Sequence, residues 1–64
     1  MHTVLIAEDE MIEREFLVNL LNRLEDFHVV AEAGDGQTAV ELAFLHRPDV
    51  AFLDIRMPLL DGLA

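Results

Sequence analysis

The strongest constraint on this chain is the regular exchange of two apolar periods along it. Thr3-Val4-Leu5-Ile6-Ala7 is an unbroken apolar run that stops at Glu8-Asp9-Glu10. A run of that kind suits a strand covered on both faces. Ile12, Phe16, Leu17, Leu20, Leu21 and Leu24 then fall at helical spacing, while Glu13, Asn19, Asn22 and Arg23 lie off that stripe. The spacing predicts a helix from about Glu10 to Leu24 that buries one wide apolar face. Glu10 and Arg14 stand four apart in the order that favours an ion pair along it.

The exchange repeats. His28 to Ala33 reads as a second strand, broken by Gly34-Asp35-Gly36, which is expected to be a plain turn. Gln37 to His46 reads as a second helix with Ala39, Val40, Ala43 and Phe44 on its apolar side, and Pro48 bars its continuation. Val50 to Leu53 is a third strand ending at Asp54, and Ile55 to Ala64 reads as a loop with a third helix opening near Asp61-Gly62. Strands alternating with helices imply an α/β fold: a parallel sheet with right-handed crossovers, βαβαβ. Phe16, Phe27, Phe44 and Phe52 are expected in its core.

Charge and composition remove several functions. The 64 residues carry 13 Asp plus Glu against four arginines, a net charge of -9, so the chain itself repels nucleic-acid phosphates and anionic membranes. No apolar run approaches a membrane span, and with no cysteine there is neither a disulfide framework nor a thiolate metal site. The absence of a basic leader and of cysteine suits a cytoplasmic setting. His2, His28 and His46 belong to different elements and are expected to be solvated or strand-flanking residues, not ligands. Gly34-Asp35-Gly36 lacks the spacing of a nucleotide-binding loop.

Carboxylates are the residues with chemical potential. Ligands of an open parallel sheet gather beyond the carboxyl ends of its strands. Glu8 and Asp9 follow the first strand there, and Asp54 follows the third. If these strands are neighbours, three acids meet, and a hard divalent cation held by oxygens, with Mg²⁺ the best suited, would neutralise them. A carboxylate beside that cation can act as a nucleophile toward phosphorus. An acidic run at a strand-to-helix junction can equally be a helix cap with dipole-favourable charge. The residues alone leave both readings open.

A resemblance separates them. Val4 to Glu10, Val29 to Gly36 with Ala39, and Asp49-Val50-Ala51-Phe52-Leu53-Asp54-Ile55-Arg56-Met57-Pro58-Leu59-Leu60-Asp61-Gly62 resemble, in order and at matching spacing, the receiver domain of bacterial two-component response regulators. The resemblance implies a doubly wound flavodoxin-like (CheY-like) sheet of family strand order 2-1-3-4-5, of which this chain would hold the 2-1-3 half. It implies that residues 1–64 are a truncated receiver: strands one to three, helices one and two, and the start of the loop to helix three. Asp54 would accept a phosphoryl group from a partner histidine kinase. Glu8, Asp9, Asp54 and the backbone carbonyl of Arg56 would hold Mg²⁺, with Asp9 a direct ligand and Glu8 acting largely through water. Pro58 and Gly62 would shape the loop that follows.

The resemblance also marks what these residues lack. The family uses a lysine and a Ser or Thr at later strand ends, and this sequence has no lysine and no serine, with its threonines, Thr3 and Thr38, in other elements. The expectation is weak Mg²⁺ binding and poor phosphorylation by this segment alone, in a phosphoryl acceptor that is not an enzyme. Strand three, central in the family, would be an edge and invite pairing with a second copy of the chain. An output domain, or DNA contacted through one, would belong to a longer parent, as would transcriptional regulation. Two other classes compete with this reading. Phosphohydrolases resembling the haloacid dehalogenase type need an Asp at position 11, which here is Met11. A half-domain that only oligomerises would need no phosphotransfer at all.

Overall fold

The structure, a computed structural model, describes residues 1–54. The expected loop, the opening of a third helix and the Arg56 carbonyl lie outside the described residues. Five elements follow one another: β1 (His2–Ala7), α1 (Met11–Asn22), β2 (Phe27–Ala33), α2 (Gly36–His46) and β3 (Val50–Leu53). The three strands form one parallel sheet in the order β2-β1-β3, half of a flavodoxin-like receiver fold.

β1 is the centre because both of its faces are apolar. Val4 and Ile6 are fully buried on one face, with Leu21, Leu17 and Val18 of α1 and with Phe27, Val29 and Val50. Leu5 and Ala7 are buried on the other, with Ala39, Leu42 and Ala43 of α2 and with Val30, Ala31 and Ala33. The result is three layers, with one helix on each side of the sheet. β2 follows β1 with a single irregularity: Val4 pairs with Val29 but Leu5 pairs with Ala31, so Val30 is an extra residue.

At the amino end of the sheet Thr3 and Asp49 lock β1 to the approach of β3. Thr3 N–H donates to Asp49 Oδ2 at 2.9 Å, and Asp49 N–H donates to the Thr3 carbonyl at 2.9 Å. The Thr3 N–H and then the Thr3 hydroxyl, both on Oδ2, hold the Asp49 carboxyl below its usual range. At the start of α2, Asp35 is the N-cap: its Oδ1 accepts from Thr38 N–H at 2.7 Å and its Oδ2 from the Thr38 hydroxyl at 3.1 Å. The same bonds lower the Asp35 pKa. The expected plain turn at Gly34-Asp35-Gly36 is thus a side-chain cap, with Gly36 already helical and buried. α2 ends with Arg47 in the left-handed region (φ 46°), directly before Pro48.

Two expectations need correction. The α1 stripe is not buried as one face: Leu21 is buried and Leu17 half-buried, but Ile12, Phe16, Leu20 and Leu24 are exposed. Phe16, Phe44 and Phe52 are likewise exposed, not core residues, and only Phe27 packs against a cluster. The reason is reach. Both helices lie over β1 and β2 and neither lies over β3, so Phe52 and Leu53 are open, as is the side of α1 turned away from the β1–β2 pair. Among the described residues no helix is long and apolar enough to cross a membrane.

Candidate functional site

The carboxyl ends of β1 and β3 are joined by one backbone bond, from Asp54 N–H to the Ala7 carbonyl, at 3.0 Å. It continues the parallel register in which Ala7 faces Leu53. On the other side, Glu8 N–H donates to the Ala33 carbonyl at 2.9 Å. The Ala7–Glu8 step therefore ties all three strand tips together, and the residues just beyond the strands inherit fixed positions.

Those residues are acids. Glu8, Glu13 and Asp54 bring carboxylate oxygens within 4.8 Å of one another. Glu8 is buried, Asp54 half-buried and Glu13 exposed. A cavity of about 150 Å³ opens beside them, lined by Ala7, Glu8, Leu17, Phe52, Leu53 and Asp54. The donor set is all oxygen and rich in negative charge, which fits a hard divalent cation that keeps part of its water shell.

The electrostatics of Glu8 record the crowding. The Glu10 backbone N–H, 3.1 Å from Glu8 Oε2, favours the ionised form. Burial and carboxyl–carboxyl hydrogen bonding with Asp54, Glu13 and Asp9 together outweigh it and push the Glu8 pKa up to about 7.

The residues singled out from sequence fall as follows. Glu8 and Asp54 meet. Asp9 is exposed and contributes least of the acids that raise the Glu8 pKa, and the group within 4.8 Å contains Glu13 in its stead. Sequence reasoning left Glu13 on the solvated side of α1. The signal was its position in the first turn, where side chains tilt toward the helix N-terminus and so toward the strand tips. Glu10 is the α1 N-cap residue and makes no side-chain cap bond; within the acidic run it is Glu8 Oε2 that accepts from the Glu10 N–H at the start of the helix. Arg14, expected to pair with Glu10, donates from Nη1 to the Glu8 carbonyl at 2.8 Å and sets Nε 3.8 Å from Glu32. His2, His28 and His46 are exposed and lie in three different elements.

Comparison with known proteins decides the family. The profile of the response regulator receiver domain matches residues 4–64. The chain belongs to this family. Among its relatives, the transcriptional regulatory protein PdtaR of Mycobacterium tuberculosis is 55% identical over 60 residues, covering 94% of this chain and 29% of the relative. The protein-glutamate methylesterase/protein-glutamine glutaminase of Nitrosospira multiformis is 48% identical over 63 residues, covering 98% of this chain and 18% of the relative. The probable transcriptional regulatory protein NarL of Mycobacterium tuberculosis is 46% identical over 59 residues, covering 92% and 27%. The chain spans less than a third of the length of each.

Proposed function

We propose that the chain is the phosphoacceptor part of a response regulator receiver, with Asp54 as the acceptor and Mg²⁺ as its cofactor. The observation that carries this is the meeting of Asp54 with Glu8 and Glu13 at the carboxyl edge of the sheet, beside an open cavity, in a chain of the receiver family. Residues 1–64 are read as the first part of such a domain.

Glu8, Asp9 and Asp54 would hold the cation together with the Arg56 carbonyl, and Glu13 adds a further carboxylate within reach. When bound, Mg²⁺ would supply positive charge to the acceptor and to the incoming phosphoryl oxygens. A carboxylate oxygen of Asp54 attacks phosphorus as the P–N bond of a phosphohistidine on the partner kinase breaks, and the imidazole leaves with the electron pair. Little acid or base chemistry is asked of the protein, so positioning dominates. The Asp54 N–H bond to Ala7 supplies that positioning by fixing the acceptor against β1. The domain accepts a phosphoryl group and does not turn over a substrate. PdtaR and NarL, named as transcriptional regulators, favour a transcriptional output for the parent protein in a cytoplasmic phosphorelay.

The test is phosphorylation from acetyl phosphate with Mg²⁺, read as a mass increase of one phosphoryl group. The expected result is slow, incomplete labelling of the segment, lost with Asp54→Asn and with EDTA. Labelling that survives Asp54→Asn refutes the assignment.

A second reading rests on β3. Among the described residues it is an edge strand with Phe52 and Leu53 exposed, and a second copy could pair with it across a two-fold axis. Sedimentation at micromolar concentration and moderate salt, which screens the acidic charge, tests it. A folded monomer throughout refutes it.

A further inference from the structure

Arg14 is the basic residue closest in sequence to the acidic junction, yet its contacts go to the backbone and to β2. Its Nη1 donates to the main-chain carbonyl of Glu8 at 2.8 Å, and its Nε lies 3.8 Å from Glu32 Oε1. The side chain is mostly covered, with 22% of its surface exposed. It passes over Gly34, where an added Cβ would stand 2.9 Å from Nη1 and 4.0 Å from Cζ. The guanidinium thus fills a slot bounded by the tip of β1, the first turns of α1 and the exit of β2.

The consequence is a peptide gripped at every polar atom. Glu8 N–H is held by the Ala33 carbonyl, the Glu8 carbonyl by Arg14, and the Glu8 carboxylate by Glu10 N–H. Glu8 is the buried acid of the cluster, so a loosened Glu8 backbone would release both its carboxylate and the path of the chain into Asp9. An unpaired buried carbonyl is also costly, which favours the bond to Arg14 over solvent.

We propose that Arg14 is a positioning residue for the cation-binding carboxylates, acting through the Glu8 carbonyl, and that Gly34 is required because any side chain there displaces the guanidinium. This rests on the Mg²⁺ reading above. Gly34→Ala is the informative change. The atom it meets is the far end of a flexible side chain, and its backbone is not in the left-handed region, so the fold can absorb it while Arg14 moves.

The experiment compares wild type, Gly34→Ala, Arg14→Met, Arg14→Lys and the Gly34→Ala/Arg14→Met pair in the intact protein. Mg²⁺ affinity is measured by calorimetry above neutral pH, with metal-free melting and amide exchange at Glu10 and Asp54 alongside. Outer-shell partners of metal ligands are worth 10- to 100-fold in affinity, so Gly34→Ala and Arg14→Met should each weaken Mg²⁺ binding about tenfold. The pair should be no weaker than Arg14→Met alone, because both changes remove one interaction. Arg14→Lys should recover part of the loss, since a single donor can still reach the carbonyl. Without metal, the Glu10 amide should exchange faster in Gly34→Ala while the melting temperature stays near that of wild type. Affinities within twofold of wild type in both single variants, or losses that add in the pair, overturn the inference. If wild type binds no Mg²⁺, the functional reading fails, and an unchanged Glu10 amide in Gly34→Ala then overturns the positioning role as well. If Arg14→Met does not fold, Gly34→Ala decides.

Discussion

The Glu8 carboxyl gives the proposed site a pH dependence that ordinary carboxylates would not. Its pKa of about 7 means that near neutrality a proton and a cation compete for the same oxygens. Apparent affinity scales with the ionised fraction, which falls from about nine-tenths at pH 8 to about one-tenth at pH 6, so Mg²⁺ binding should weaken about tenfold across that range. The same arithmetic fixes the proton count. Binding should release about 0.9 proton per cation at pH 6 and about 0.1 at pH 8, measurable by calorimetry in buffers of different ionisation enthalpy. Stability responds with a definite sign. A carboxyl raised in the folded state from its usual 4.5 contributes stability that is present below about pH 4.5 and lost as pH rises to about 7. Without metal the melting temperature should therefore fall across that window, and Mg²⁺ should restore it at the alkaline end. Glu8→Gln should abolish the slope of both. Equal Mg²⁺ affinity at pH 6 and pH 8, with weakening only below pH 5, would show that the neighbouring acids do not act on Glu8 as argued.

Other outcomes follow from the fold. Asp35 and Asp49 titrate low, so their contributions are present above the usual 3.8 and lost as pH falls below it; the metal-free chain should be most stable in mildly acidic solution, as a melting series across pH would show. Ile6→Ala empties the middle of the α1-side cluster and should cost about 2–5 kcal/mol in urea unfolding, a large part of the total for a domain of this size. Arg47→Gly should raise stability by about 1 kcal/mol, since glycine carries no penalty at that positive φ. Asp35→Ala should lower the melting temperature without changing the far-ultraviolet spectrum of β1 and β2.

Element order and strand character were legible because β1 is apolar and buried from Val4 to Ala7 and each helix is bounded by a clear break. The parallel βαβαβ arrangement follows from that alternation. The depth of burial was not legible. Periodicity tells which residues of α1 share a side, but not that, among the described residues, the sheet covers Leu17, Val18 and Leu21 and leaves the rest of the stripe open. Ile12 and Phe16 share the stripe and stay exposed for that reason. At the site, Glu8 and Asp54 were legible as strand-end acids. Glu13 was marked only by its place in the first turn of α1, and the use of Arg14 was not marked at all, because both depend on how that turn leans over the strand tips.

The irregularity between β1 and β2 has its own chemical result. Along a regular strand Val29, Ala31 and Ala33 would all face the same helix. Because Val30 is inserted, Ala31 and Ala33 turn toward α2, and Glu32, opposite Ile6, turns toward α1, where Arg14 meets it. Val30 thus works as a phase shifter: one surplus amino acid reverses the parity of everything downstream and delivers an acid to the arginine that braces Glu8. Excising Val30 would leave a straight ladder with the same faces in place, whereas inserting a residue after it would carry Glu32 to the opposite layer and leave the guanidinium with one anchor fewer.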